Sequence, residues 1–332
     1  MPSSPPAVTP LRGRSTHAAP APARFGCNPL VWAAWLYHHD SLNQGQIAKI
    51  MGVSRASVVK YLQQAREQHI VVVTVQPQIV ARTELSQAIK ERFRLDGALV
   101  VPDDGGTGDV TQRVAEAGAQ WLVQELRSRD VLGVAWGRTV LALSKALPRA
   151  SMPEVTVVQI LGSRSSDEGF SAEQCISNIA RRLEARCVNI FAPAVLSQAG
   201  LRELLLEEPL LKEQFTRVRA CNRLLLGVCT VQRNSLIYDT GLVSAEVSAE
   251  YVARGAVGVI SGRFFDAQGR PVLGESDERM IGLTLEEISR VPKRLTVAGG
   301  LEKTEAILGA LRGGYITDLV VDERTARVLV EA

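Results

Sequence analysis

Hydrophobic positions between residues 44 and 68 follow the spacing of two short helices joined by a tight turn. The apolar residues recur at three- and four-residue steps, which gives each helix one face that can be buried. They are Ile47, Ala48 and Met51 in the first helix, and Val58, Tyr61 or its neighbour Leu62, and Ala65 in the second. Gly52, Val53 and Ser54 form the predicted turn, and the Ser54 hydroxyl is suited to cap the second helix. The pattern predicts a helix-turn-helix.

The polar face of this predicted motif is typical of a surface that contacts DNA. In a helix-turn-helix, the second helix enters the major groove of double-stranded DNA. The predicted DNA contacts are Gln44, Ser54, Arg55, Ser57 and Lys60. The alternative is an ordinary helical hairpin in a small core, since that structure has the same apolar spacing.

The flanking segments set the predicted domain boundaries. Residues 1–26 are rich in proline, alanine and serine, which predicts a disordered arm; a transit-peptide interpretation lacks the expected amphipathic periodicity. Residues 27–77 are predicted to form a winged or wing-like helix-turn-helix domain, because β-branched residues at 69–75 favour a strand or small wing. A helical pattern within residues 78–96 predicts a linker helix between two domains.

From residue 97 onward, strand-like and helix-like segments alternate. The predicted strands are Ala98–Val101, Val131–Ala135, Val155–Ile160, Cys187–Phe191, Arg223–Val228, Val257–Ile260, Arg294–Val297 and Asp318–Val321. The predicted helices are Val110–Ser128, Thr139–Leu147, Ala172–Ala185, Ser244–Arg254, Leu285–Ser289, Lys303–Arg312 and Glu323–Val330. This alternation favours an α/β domain at residues 97–332, with a doubly wound, mostly parallel, Rossmann-like sheet. Ligands of such sheets bind beyond the carboxyl ends of the strands.

Composition supports two domains and a modest positive charge. A chain of 332 residues exceeds the size at which one hydrophobic core normally stops growing, and its hydrophobic fraction of 46% indicates a globular protein. The net charge is +3. The charged residues between positions 27 and 76 are Lys49, Arg55, Lys60 and Arg66, against Asp40 and Glu67. Several phosphate contacts would therefore need two or more copies of the motif.

The cysteines and histidines argue against metal and redox chemistry. The five cysteines form no C-x-x-C pair, and their odd number without a secretory signal indicates reduced thiols in a cytoplasmic protein. All four histidines precede residue 70, which disfavours a structural zinc site and a histidine-based hydrolase triad. No apolar run approaches the roughly 20 residues that span a bilayer. We therefore expect no metal, no cofactor and no membrane segment.

Three predicted strands end in glycine loops that carry a basic side chain. These loops contain Gly137, Arg138 and Thr139, then Arg164, and then Lys303. Backbone N–H groups at a helix start attract anions, and Arg or Lys adds charge-assisted hydrogen bonds. A lysine in the first turn of a helix opposes the helix dipole, so a bound anion would give Lys303 a favourable role. Together the loops predict one site for a small anionic molecule, although each alone is equally explained as a structural corner or a surface ion pair.

Longer blocks of the chain resemble a known family. The helix-turn-helix together with GVAWGRT, QILGSR, GAVGVISGRFFDAQGRPV and AGGLEKTEAILGALRGGYITDLVVDERTARVL resembles the SorC family of sugar-responsive bacterial transcription regulators, over residues 29–331. The resemblance implies a DNA-binding head joined to an effector domain similar to phosphosugar isomerases. It also implies self-association into dimers or tetramers, and a sugar or sugar-phosphate effector that alters affinity for operator DNA.

The resemblance also assigns effector contacts to particular residues. It implies that Gly137, Arg138 and Thr139 receive the effector phosphate and that Lys303 approaches the same ligand. The other implied effector contacts are Arg164 and Gln174. One position departs from the family pattern, because Val259 stands where an acid commonly accepts bonds from sugar hydroxyls. This difference suggests a smaller, altered or differently oriented ligand.

Three functional hypotheses follow. The first is a regulator of a carbohydrate-metabolism operon without catalysis of its own, in which the effector repositions the linker helix and the paired recognition helices. The second is a phosphosugar isomerase or deaminase with a DNA-binding appendage, which would need an acid or base such as Asp239, Glu246 or Asp277. The third is a regulator with a vestigial effector site, which Val259 leaves open.

Overall fold

The computed structural model describes five stretches of the chain, residues 19–71, 77–103, 108–163, 171–232 and 242–332. The chain divides into two compact units, Met1–Gln76 and Pro77–Ala332. The predicted wing at 69–75 lies largely outside the described residues, because only its first three residues are described, as turn and bend. Of the predicted arm at 1–26, only the part from residue 19 is described.

In its described residues, the first unit contains three α-helices whose starts are fixed by local caps. They are α1 (Pro29–His38), α2 (Gln44–Met51) and α3 (Arg55–Glu67). Asn28 and Ser54 accept hydrogen bonds from first-turn amides of α1 and α3, and Asn43 forms a capping box with Gln46. Gly52 ends α2 at φ 64°, a left-handed conformation that glycine adopts without strain. These short-range bonds explain why the helix-turn-helix could be predicted from local sequence.

The apolar faces of the three helices meet in one core. Its buried residues are Phe25, Trp32, Ala33, Leu36, Ile47, Ala48, Met51, Val58 and Leu62. Of the two candidates in α3, Leu62 is buried and Tyr61 is only partly buried. Phe25 lies in a short 3-10 helix, Ala23–Phe25, so the core includes residues that precede the predicted domain start at Cys27.

The strands described in the second unit form two sheets. The strands are β1 (Gly97–Val101), β2 (Val131–Val134), β3 (Thr156–Gln159), β4 (Arg186–Val188), β5 (Arg223–Leu226), β6 (Cys229–Thr230), β7 (Ala256–Ile260), β8 (Arg263–Asp266), β9 (Lys293–Val297) and β10 (Asp318–Asp322). Seven of them form a parallel sheet in the order β1-β10-β9-β5-β2-β3-β4, and β6, β7 and β8 form a small antiparallel sheet. The fold class is therefore α/β with a mostly parallel sheet, as predicted.

The described part of the second unit also contains helices, some on the two faces of the parallel sheet and others elsewhere in the unit. They are α4 (Pro77–Phe93), α5 (Val110–Glu125), α6 (Arg138–Ala146), α7 (Ala172–Leu183), α8 (Ala199–Glu207), α9 (Pro209–Arg219), α10 (Ala245–Ala253), α11 (Glu275–Arg279), α12 (Leu285–Arg290), α13 (Thr304–Arg312) and α14 (Glu323–Glu331). Along the central strand β5, Leu224 and Leu226 belong to one hydrophobic cluster. Leu225, which lies between them, belongs to a second cluster. A parallel sheet buried on both faces explains the continuous apolar runs in the sequence.

Helix α4, at the predicted linker position, packs within the second unit. It contacts β1 and the C-terminal helix α14, and its Ile89 is fully buried. Ser86 accepts a hydrogen bond from the Val100 amide at 3.1 Å, which ties α4 to β1. Helix α4 therefore packs beside the C-terminal helix α14 in the second unit.

The prediction that Val257–Ile260 joins the parallel sheet is wrong. This segment pairs antiparallel with β6 and β8. Only Ser261 and Gly262 connect β7 to β8, with φ of 48° and 77°. A two-residue turn with positive φ joins antiparallel strands, whereas parallel strands need a crossover of about a dozen residues. The strand β8 and the helices α8 and α9 were also not predicted.

Candidate functional site

A cavity of about 200 Å³ lies beyond the carboxyl ends of β2 and β5. Residues that directly follow these strands line it, among them Gly137 and Gly227. Residues of the turn after β9 and of the small antiparallel sheet complete the described part of the cavity wall. This is the expected position of a ligand site in a parallel α/β sheet.

The start of α6 forms one side of the cavity. Gly137 is its N-cap and supplies no side-chain cap, while Arg138, Thr139 and Val140 of the first turn line the cavity. Amide groups in the first turn of a helix have no acceptor within the helix, and together with the helix dipole they favour an anion. Thr139 is buried, so it forms part of the cavity wall rather than of the outer surface.

Lys303 reaches the same cavity from the turn after β9. It ends the 3-10 helix Leu301–Lys303 and precedes α13. Gly300 has φ 104°, a conformation that favours glycine, and its N–H donates to Asp322 at 2.8 Å. This bond fixes the turn against the end of β10, so that Lys303 is held beside the cavity.

The electrostatics of the cavity favour a negatively charged ligand. Among the described residues that line it, the charged side chains are Arg138, Lys303 and Glu302, which gives an excess of one positive charge. Burial raises the pKa of the Cys229 thiol, and the charges of Lys303 and Arg138 act in the opposite direction. Both cations line the same cavity as this thiol, which belongs to β6.

Another part of the cavity wall is largely apolar. Leu161, Leu242 and Val259 line it and belong to one packed hydrophobic cluster, which Cys229 borders. Val259 is paired with Cys229 across β6 and β7, so the apolar side adjoins the basic side. A ligand with an anionic end and a less polar end fits this arrangement.

The predicted effector contacts fall into three groups. Gly137, Arg138, Thr139 and Lys303 lie around one cavity. Gln174 is exposed near the start of α7, where its N–H bonds to the Ser171 hydroxyl, and it is not part of the cavity lining. Arg164 lies outside the described residues.

Residues of the small antiparallel sheet also line the site, and sequence periodicity did not reveal them. They are Cys229, Thr230, Val259, Ser261 and Gly262. Only Val259 was noted, from the family resemblance. The Ser-Gly pair between two apolar segments is a hairpin signal, and it would have indicated that this segment turns back on itself.

Two of the three candidate catalytic carboxylates, Asp277 and Glu246, lie in described residues and are not part of the cavity lining. Asp277 bonds to Arg263, Tyr251 and the Gly274 amide, and Glu246 is exposed. Asp239 lies outside the described residues. Within the described ranges, no cluster of three or more His, Cys, Asp or Glu side chains is arranged to hold a metal ion.

The predicted DNA contacts lie on and around the start of α3. Arg55 and Lys60 are exposed, and the Arg55 Nε donates to Gln44 at 3.3 Å. Ser54 accepts from the Ser57 amide at 3.0 Å, so its hydroxyl maintains the helix start. The five residues thus include exposed basic groups at the N-terminal half of the second motif helix and a cap that positions them.

In the part of the chain that the structure describes, no helix has the length and apolar character needed to cross a membrane.

A family model described as "Putative sugar-binding domain" matches residues 77–331. The uncharacterized transcriptional regulator YjhU of Escherichia coli is 37% identical over 312 residues, which is 92% of this chain and 95% of that protein. The deoxyribonucleoside regulator of Bacillus subtilis is 30% identical over 304 residues, which is 90% of this chain and 96% of that protein.

A solved structure gives the same result for the fold. The full-length sorbitol operon regulator SorC from Klebsiella pneumoniae superposes with a TM-score of 0.73 at 27% identity, covering 91% of this chain and 97% of that one. The sequence matches and the superposition both extend over the helix-turn-helix and the sheet domain. The chain belongs to the SorC family of transcriptional regulators with a sugar-binding domain.

Proposed function

We propose that this protein regulates transcription of a carbohydrate-metabolism operon in the cytoplasm, and that a sugar or sugar phosphate in the cavity sets its affinity for operator DNA. The observation that carries the effector part is the convergence of the α6 start, Arg138 and Lys303 on one cavity. A phosphate group matches this site, because first-turn amides and basic side chains can share its oxygens. Two relatives named a deoxyribonucleoside regulator and a sorbitol operon regulator support a ligand derived from sugar metabolism.

The DNA-binding part of the proposal rests on α3. Its N-terminal half carries Arg55, Ser57 and Lys60, and its buried face holds it against α1 and α2. We assign α3 as the helix that enters the major groove, with Gln44 and Ser54 at its border. A single head has few positive charges, so we propose that the protein binds DNA as a dimer or tetramer, with two heads on successive half-sites.

A chain of contacts within the second unit offers a route from the ligand to the head. The Leu301–Lys303 turn contacts α14, and α14 packs on α4. Helix α4 begins at Pro77, directly after the first unit. We propose that a ligand held by Lys303 biases the position of α14 and thereby of α4.

The catalytic alternative has weaker support. An isomerase or deaminase needs a poised acid or base within reach of its substrate. Among the described residues that line the cavity, Glu302 is the carboxylate. Asp277 forms an ion pair with the buried Arg263 and does not line the cavity. We therefore propose that the protein has no catalysis of its own.

A gel-shift titration tests the proposal. Purified full-length protein is incubated with DNA from upstream of its gene, with and without a panel of sugars and sugar phosphates. We expect one DNA fragment to bind and at least one sugar phosphate to change its dissociation constant. Failure of every upstream fragment to bind, or turnover of a sugar phosphate by the purified protein, would contradict the proposal.

A further inference from the structure

The apolar side of the cavity contains a buried hydroxyl that the fold does not use. Ser261 lines the cavity, is 9% exposed, and its Oγ has no hydrogen-bond partner among the described residues. Thr230, another hydroxyl of the same sheet, is engaged because it accepts from the Gln232 amide at 2.8 Å. A buried hydroxyl without a partner is destabilising and is rare in native proteins. The Ser261 hydroxyl is therefore available to a ligand.

The backbone at Ser261 is also unfavourable for serine. Ser261 and Gly262 form the two-residue turn between β7 and β8, with φ of 48° and 77°. Turns of this kind favour glycine, asparagine or aspartate, because other residues lose stability at positive φ. The positive φ of Ser261 is thus strained for serine, and its hydroxyl forms no compensating hydrogen bond with a described residue. Such departures from local structural rules are concentrated at binding sites.

Among the described residues, the side chains beside Ser261 on this side of the cavity provide little for a hydroxyl-rich ligand. Val259, Leu161 and Leu242 line the same side and have no side-chain hydrogen-bonding groups. A Cβ at Gly262 would lie 2.8 Å from the Met280 sulfur, so the turn is packed tightly against this cluster. A sugar hydroxyl that faced these side chains would lose its water without a replacement partner, which is unfavourable.

The basic and apolar sides adjoin, so one small ligand can contact both. Cys229 lies opposite Val259 in the β6–β7 pair and lines the cavity together with Arg138 and Lys303. A phosphate held by these two cations therefore directs the rest of the ligand toward Val259 and Ser261.

We propose that Ser261 hydrogen-bonds one oxygen of the effector, and that the site selects a sugar phosphate lacking a hydroxyl where the ligand faces Val259, Leu161 and Leu242. This proposal rests on the proposed function, because the phosphate at the basic side orients the ligand. The class of ligand is a deoxysugar phosphate or a similarly deoxygenated polyol phosphate.

Calorimetric titration of the full-length protein tests the selection directly. The probes are two matched pairs, 2-deoxyribose 5-phosphate with ribose 5-phosphate and 2-deoxyglucose 6-phosphate with glucose 6-phosphate, and inorganic phosphate. We expect the deoxy member of at least one pair to bind about tenfold more tightly than its hydroxylated partner, because a buried hydroxyl without a partner costs about one hydrogen bond. Val259→Thr places a hydroxyl on the apolar side and should reduce this preference several-fold.

Substitutions at Ser261 test the hydrogen bond. Ser261→Ala should lower the affinity for the preferred deoxysugar phosphate about tenfold and leave the affinity for inorganic phosphate unchanged. Ser261→Gly should lose the same affinity while raising the melting temperature, because it relaxes the positive φ. Ser276→Ala is the control, since Ser276 is a buried serine that is not part of the cavity lining; it should leave both affinities unchanged.

The outcomes separate this inference from the proposed function. If inorganic phosphate binds but Ser261→Ala binds the sugar phosphates as the wild type does, or if the hydroxylated member is preferred in both pairs, the inference is overturned and the proposed function stands. Binding of inorganic phosphate without binding of any sugar phosphate also overturns the inference. If neither phosphate nor any of the four sugar phosphates binds the wild type, the proposed function fails as well.

Discussion

Replacement of Lys303 by methionine should have opposite effects on ligand affinity and on the stability of the free protein. Lys303 is one of two basic side chains among the described residues that line the cavity, and methionine keeps most of its apolar stem. A hydrogen bond to a charged group contributes about 1.5–3 kcal/mol. Its loss should weaken a sugar phosphate by about 10- to 150-fold, since about 1.4 kcal/mol is tenfold in affinity.

Without a bound ligand, we expect the positive charge of Lys303 to lower the free energy of unfolding. The residue directly precedes α13, and a positive charge at a helix N-terminus costs about 0.3–1 kcal/mol. The free energy of unfolding of Lys303→Met should therefore equal or slightly exceed that of the wild type when no ligand is present. A purely structural role for Lys303 predicts the reverse, a loss of stability with or without ligand.

Isothermal titration calorimetry and urea denaturation measure the two effects. Lys212→Met is the matched control, because Lys212 is exposed, pairs with Glu207 on the surface and is not part of the cavity lining. It should change neither the ligand dissociation constant nor the stability beyond about 1 kcal/mol. A dissociation constant for Lys303→Met within about threefold of the wild type would refute the assignment of Lys303 to the anion site.

Three further substitutions test the head and the small sheet. Arg55→Ala should weaken operator binding by about 1–3 kcal/mol in fluorescence anisotropy if Arg55 contacts the major groove, with no change in sugar-phosphate affinity; unchanged DNA affinity would exclude that role. Gly262→Ala should lower the free energy of unfolding by about 1–3 kcal/mol because of its φ of 77°. Gly200→Ala is the control, since a Cβ there meets no atom within 4 Å, and it should be neutral or slightly stabilising. Arg263→Met should cost about 3–5 kcal/mol in urea denaturation, because it leaves the largely buried carboxylate of Asp277 without its cation; a loss below about 1 kcal/mol would show that the hydrogen bonds from Tyr251 and the Gly274 amide stabilise this carboxylate without the cation.

Much of the fold was predictable because its determinants are local. The helix-turn-helix follows from an apolar period, a glycine turn and two caps, Asn43 and Ser54, that lie within a few residues of the groups they bond. The parallel sheet follows from apolar runs separated by helical patterns. The basic side of the cavity follows from the rule that parallel strands bring their carboxyl ends to one edge, which places Gly137 and Lys303 together.

The rest depends on contacts that sequence periodicity does not encode. The apolar run of β7 is consistent with any buried strand, and only its antiparallel pairing with β6 and β8 makes it a wall of the cavity. The Ser261 hydroxyl is available because none of the described residues bonds to it, and no local sequence pattern indicates this. Gln174 was assigned by resemblance alone, and in this chain its side chain is exposed on α7 rather than part of the cavity lining.

The most direct test of the account is the reciprocal linkage between DNA and ligand. The affinity of the full-length protein for labelled upstream DNA is measured with and without a saturating sugar phosphate, and the affinity for that sugar phosphate is measured with and without the DNA. We predict that both affinities change by the same factor, of about 5-fold or more, and that Lys303→Met abolishes the effect at the same ligand concentration. A ligand that binds with full occupancy and leaves the DNA affinity unchanged would contradict this prediction.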